Sequence, residues 1–133
     1  MIGRQENIVM KLTNVTMNTY LNSLNKVSNK VNGKLAYYIA RNIRKIHNEL
    51  IEFENIRNDY IRKYGTVNEN GDYFISVNSN EYENFLNFIS EYASIEHEVD
   101  ITTVSEKDFF NSNLNANEIL ELDFMIKEDT EIV

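Results

Sequence analysis

The chain contains no cysteine, no proline and no tryptophan, and only four glycines among 133 residues. Without cysteine there can be no disulfide framework, thiolate nucleophile or cysteine metal site, so stability must come from packing, as suits a reducing cytosol. Four glycines leave no glycine-rich phosphate loop. No apolar run approaches the ~18 residues of a membrane span. Met1 to Met10 lacks a basic start leading into an apolar stretch and a small-residue cleavage site, so neither export nor membrane anchoring is expected. Met10 is an alternative translational start to Met1. The two histidines, His47 and His97, have no evident serine partner, and carboxylates are too common to single out an acid–base pair. No catalytic residues, cofactor or metal ligands are therefore expected. Around Asn68, Asn70 and Gly71 the chain superficially follows a calcium loop, but Thr66 and Val77 stand where carboxylates are needed.

What the chain has is charge, unevenly distributed. The formal total of -8 combines 11 Lys and Arg against 5 acids in residues 1–65 with 2 against 16 in residues 66–133. Opposite halves of one folded unit attract, and the surplus acid must face water or a cationic partner. With 42% hydrophobic and 11% aromatic residues the composition is that of a folding chain, and its length suits a single domain over residues 1–133 with loose tails at 1–7 and 127–133. The abundance of Asn, Ile, Lys, Glu and Tyr matches an AT-rich coding bias. It weakens any motif built on asparagine, including the glycosylation-like Asn14-Val15-Thr16.

Periodicity sets out the elements. Residues 8–13 alternate as a short strand, and Met17, Tyr20, Leu21, Leu24 and Val27 recur at helical spacing until Asn32-Gly33. Leu35, Ile39, Ile43, Ile46, Leu50, Phe53, Tyr60 and Tyr64 form one stripe when wrapped at about 100° per residue, which predicts a helix over 34–64 some ~45 Å long. Arg57 falls inside that stripe and must reach outward or meet a buried acid. Arg62 and Lys63 favour a helix end, with Gly65 in a left-handed conformation just beyond. The short break at 32–33 folds the two helices into an antiparallel hairpin. Asn70-Gly71 marks a turn into a strand over 73–77. Asn78 with Glu81, and Asn115 with Glu118, resemble capping boxes that start two shorter helices, the first ending near Ala93. Residues 96–104 alternate, with His97, Val99 and Ile101 inward and Glu96, Glu98 and Asp100 outward. The expected fold is α+β: an antiparallel helical hairpin with one long helix, packed with a small antiparallel sheet and two shorter helices.

Three carboxylates on one strand face, at ~6.5–7 Å intervals, could meet Lys and Arg on a partner, and equally suit a solvated or protected edge strand. Glu118, Glu121 and Asp123, followed by Glu128, Asp129 and Glu131, extend the negative field. These acids make the principal candidate surface: Glu96, Glu98, Asp100, Glu118, Glu121 and Asp123. His97 points away from the acidic row, so a joint metal site is not expected. The cations of the long helix, Lys34, Arg41, Arg44, Lys45, Arg62 and Lys63, are interrupted by Glu49, Glu52 and Asp59, which argues against direct nucleic-acid binding. Asp59 with Lys63 suits a helical i,i+4 pair. A second candidate is the line Tyr37, Arg44, Ile51, which lies opposite the core stripe and needs a cover from the chain's own sheet or acidic segment, a partner, or a second copy.

Met10-Lys11-Leu12-Thr13-Asn14, Ile61-Arg62-Lys63-Tyr64-Gly65, Asn68-Glu69-Asn70-Gly71 and the stretch from Leu120 to Ile126 together resemble a group of small uncharacterised proteins of bacteriophages and prophages of Gram-positive bacteria. The resemblance covers most of the chain from Met10 to Glu128 and implies a phage-encoded protein acting in the host cytoplasm, with no site residues to carry over. The expected function is non-enzymatic binding to a host protein or ribonucleoprotein complex with a basic surface, as an anti-CRISPR-like inhibitor of a nucleic-acid-targeting defence complex. The alternative is a phage morphogenesis factor that self-associates as a homodimer through the long helix.

Overall fold

In a computed structural model, which describes residues 7–128, the chain runs β1 (Asn7–Thr13), α1 (Asn14–Val27), α2 (Gly33–Tyr64), β2 (Thr66–Val67), β3 (Tyr73–Phe74), α3 (Glu81–Ala93), β4 (Glu96–Thr102), β5 (Val104–Ser105), α4 (Lys107–Phe110), α5 (Ala116–Glu121), a 3-10 turn (Asp123–Met125) and β6 (Ile126–Lys127). Thr13 ends the strand and starts the helix at once: extended itself, it accepts a hydrogen bond from Thr16 N at 3.1 Å through Oγ1. α1 therefore begins three residues before Met17, where the apolar spacing begins. Gly33 has φ +60°, a conformation costly for any residue with a Cβ, and it turns the chain back into α2. Asn7 and Lys127, expected in loose tails, lie in strands. Of the other tail residues, Glu128 follows β6 outside any element, and 1–6 and 129–133, with Asp129 and Glu131, lie outside the described residues.

The α+β expectation holds, with the helical hairpin and the antiparallel pair β1–β4 at its centre. Met17, Leu21, Leu24 and Val27 of α1 pack with Leu35, Ile39, Ile46 and Leu50 of α2, Val99 and Ile101 of β4, and Leu122 and Met125 beyond α5. Tyr20 and Phe124 stack with ring centroids 3.9 Å apart. Asn42, wholly buried among these apolar residues, uses its amide to satisfy the backbone of Thr102: Nδ2 donates to Thr102 O, and Oδ1 accepts from Thr102 N, both at 2.9 Å. One side chain thus supplies what a neighbouring strand would.

Several expectations need correction. The stripe on α2 is buried only as far as Leu50; Phe53 and Tyr60 are half-exposed and Tyr64 is exposed. Helical period marks which face is apolar, and not whether anything lies there to bury it. Gly65 ends α2 as expected but is extended, with φ -89° and ψ -177°. The reason for glycine is room: a Cβ there would come within 2.5 Å of the carbonyl oxygens of Ile61 and Phe74. The 73–77 strand is only Tyr73–Phe74, paired with Thr66–Val67 across a loop in which Gly71 has φ +84°. The cap of α3 is Asn80, without a side-chain bond, and not Asn78. The second capping box is present, with Glu118 N donating to Asn115 Oδ1 at 2.9 Å and Asn115 N to Glu118 Oε1 at 3.0 Å. The helix it starts ends at Glu121, and α4 and the parallel pair β5–β6 are additional.

Candidate functional site

The acidic row lies where alternation puts it. In the β1–β4 register Glu96 faces Thr13, Glu98 faces Lys11 and Asp100 faces Val9, and all six side chains except Thr13 are well exposed. The opposite face, with Val99 buried beside Met10 and Ile101 beside Ile8, packs toward α2. His97 lies on that inner side, with Nδ1 3.5 Å from Glu49 Oε2 and Nε2 buried without a partner. Row and imidazole are on opposite faces, and no group of three or more His, Asp or Glu among the described residues is placed to hold a metal ion.

The six acids of the principal surface do not act as one array. The chain's own lysines draw on the acidic half: Lys26 meets Glu121 at 3.5 Å, Lys30 meets Glu118 at 2.6 Å, Lys34 meets Asp108 at 3.6 Å and Lys45 meets Asp100 at 3.4 Å. These pairs are the attraction between halves that the charge division implies, and they dock the basic hairpin on the acidic remainder. Glu118 is doubly engaged, since Oε1 closes the capping box and Oε2 takes Lys30; the lysine hydrogen bond, then the Asn115 backbone bond, hold its carboxyl below the usual range. Asp100 also accepts from Asn7 Nδ2 at 3.2 Å. Glu118, Glu121 and Asp100 are therefore committed within the chain. Glu96, Glu98 and Asp123 are not among the acids paired within the described residues. Asp59 pairs with Arg62 at 3.3 Å instead of with Lys63.

Tyr37, Arg44 and Ile51 are all exposed, so none of the described residues of the sheet or the C-terminal segment covers this line. Arg41 sits over the Tyr37 ring, 5.8 Å from its centroid. Arg57 finds no buried acid from the C-terminal half. It is half-buried in a cleft of about 210 Å³ with Asn14, Glu54, Phe53 and Ile89, and makes no ion pair among the described residues. Asn14, of the glycosylation-like triplet, is 3% exposed and its Nδ2 donates to Tyr92 O at 2.7 Å, so its amide nitrogen is engaged inside the protein.

A further surface escaped the sequence reading. From residue 51 to residue 95 no side chain is buried, although eighteen large apolar or aromatic residues fall there. Tyr60 gathers Phe88 at 4.3 Å, Tyr64 at 4.6 Å and Phe85 at 5.8 Å between centroids, and Phe88 touches Tyr92. Elsewhere in the same segment Val67, Tyr73, Phe74, Val77 and Leu86 remain exposed. The available signal was the length of α2, which runs 14 residues beyond its last buried position, Leu50.

Comparison with protein-family models, curated proteins and solved structures gives no match. The resemblance to phage proteins accordingly rests on the quoted residues alone. No helix among the described residues is long and apolar enough to cross a membrane.

Proposed function

We propose that the protein is a non-enzymatic binder that sets the acidic face of its β1–β4 sheet against a basic surface of another protein. One observation carries this reading: Glu96 and Glu98 project outward from a paired strand and make no ion pair among the described residues, Lys11 standing opposite Glu98 without pairing, while four lysines engage Glu118, Glu121, Asp108 and Asp100. Charges fixed on a strand need little ordering on binding and steer a cationic partner into register. With the phage resemblance, the partner is a host complex that handles nucleic acid in the cytoplasm, such as a CRISPR effector, whose nucleic-acid groove supplies the basic surface. Wild-type protein and a Glu96→Gln/Glu98→Gln variant, each immobilised and exposed to nuclease-treated host lysate, test it. A protein captured by the wild type and lost from the double variant supports the reading; undiminished capture of every partner by the variant refutes it.

A second reading, a phage morphogenesis factor that self-associates, is favoured by the exposed line Tyr37, Arg44, Ile51. Light scattering at high concentration decides it: a dimer abolished by Ile51→Ser supports it, and a monomer at all concentrations removes it.

A further inference from the structure

The segment from Ile51 to Ile95, comprising the outer part of α2, the β2–β3 hairpin and α3, is built as if part of its cover were missing. A 13-residue helix carrying Tyr82, Phe85, Leu86, Phe88, Ile89 and Tyr92 buries none of them fully. An amphipathic helix in a finished core buries its apolar stripe, and exposed apolar patches of this kind mark interaction surfaces. Between the last turns of α2 and the hairpin lies a mixed cleft of about 370 Å³ lined by Ile61 and Tyr73, by the polar Asn58, and by Asp72 and Arg62.

The charge around this patch says what fits it. From Tyr64 to Glu106 the chain has no Lys or Arg and nine acids. Over residues 51–95 eight acids stand against Arg57, Arg62 and Lys63. Arg62 is occupied by Asp59, and Lys63 lies 5.3 Å from the Tyr64 ring centroid. A second copy meeting this surface through the same surface would set like charge against like, which interfaces avoid.

We propose that the α2–hairpin–α3 surface is a docking site for a cationic amphipathic segment of a partner protein, its apolar side chains covering Val77, Leu86 and the rim of the Tyr60 cluster while flanking Lys and Arg meet the surrounding acids. This deepens the protein-binding reading and rests on it, but places the apolar part of the contact away from the β1–β4 sheet.

Three labelled peptides of about 18 residues, five helical turns, test it by fluorescence anisotropy with the full chain. One is Leu/Lys at amphipathic spacing, one has Glu for Lys, and one is the Leu/Lys sequence scrambled to lose its apolar face. The Leu/Lys peptide binds at least roughly tenfold more tightly than either control, and weakens with added salt. Leu86→Gln/Val77→Thr, both at exposed positions, lowers that affinity roughly tenfold without moving the thermal melt, while Glu96→Gln/Glu98→Gln leaves it within about twofold. Equal binding of the three peptides, or none, overturns the proposal. Loss in the sheet variant alone also overturns it while leaving the sheet reading standing. Sedimentation showing a dimer that Leu86→Gln/Val77→Thr dissociates overturns it in favour of a second copy.

Discussion

Replacing Asn42 should cost more stability than any exposed substitution. Its amide makes two 2.9 Å hydrogen bonds to the main chain of Thr102 inside the core, with a further 3.5 Å approach of Nδ2 to Met125 Sδ. In Asn42→Leu the side-chain volume is largely kept and its hydrophobicity raised, yet the buried N–H and C=O of Thr102 lose their partners. Each orphaned group costs about 1–3 kcal/mol, and better helix propensity and apolar burial return only part of it, so the net loss is about 3 kcal/mol. With a urea slope of about 2 kcal/mol/M, the unfolding midpoint falls by about 1.5 M at unchanged slope. Asn42→Ala adds a cavity and should fall further. Since Thr102 closes the strand that carries Glu96 and Glu98, amide exchange along β4 should quicken in both variants. An Asn42→Leu protein as stable as the wild type would refute the reasoning, because it would mean that the apolar gain outweighs the two lost bonds.

Other outcomes follow from single contacts. Glu118 has a folded pKa below its ordinary value of 4.5, chiefly through Lys30. Its contribution is therefore complete above that value and lost as pH falls through the lower folded one, and Lys30→Ala should shrink the acid-side loss of stability followed by circular dichroism. Tyr60 has a pKa raised above 10.0, first by desolvation and then by Glu81 and Tyr64. Its stabilising effect is complete below that value and disappears as pH rises through the folded one; an ultraviolet titration should show one late phenolate that Tyr60→Phe removes. Gly65→Ala should loosen the hairpin, since both oxygens 2.5 Å from the new Cβ are main chain and cannot swing away. A thermal melt lowered by about 1–3 kcal/mol of stability would fit, and a neutral result would show that the close approach is not needed.

The hairpin of helices was legible because its signals are long and mutually consistent: an apolar stripe uninterrupted by proline or glycine, and glycines at both ends of α2. The orientation of β4 was legible because alternation over seven residues leaves one choice of face. By contrast β5, β6 and α4 span two, two and four residues, too few to have a period. The cap at Asn78 and Glu81 had the right spacing and was wrong, since in a chain so rich in asparagine the pattern arises by chance. The same bias hid Asn42, which stands between Ile39 and Ile46 at core spacing and is the polar residue the core depends on. Of the site, the outward row could be read directly. The withdrawal of Glu118 and Glu121 could not, because Lys30 and Lys26 lie 88 and 95 residues away in sequence.

Those long-range pairs change what the charge division means. The whole-chain total suggests acid spread over the C-terminal half, but folding draws four of those acids onto lysines of the first two helices and the turn between them. The remaining excess is concentrated in a stretch that has no Lys or Arg of its own, from the hairpin through α3 to the first residues of β4. That same stretch, up to Ile95, holds the apolar residues without cover. Charge steers an encounter at long range, whereas apolar burial holds the complex once formed. A partner with both cationic and apolar groups satisfies the two at once, and neutralising Glu96 and Glu98 should slow its association while trimming Leu86 and Val77 should hasten its release.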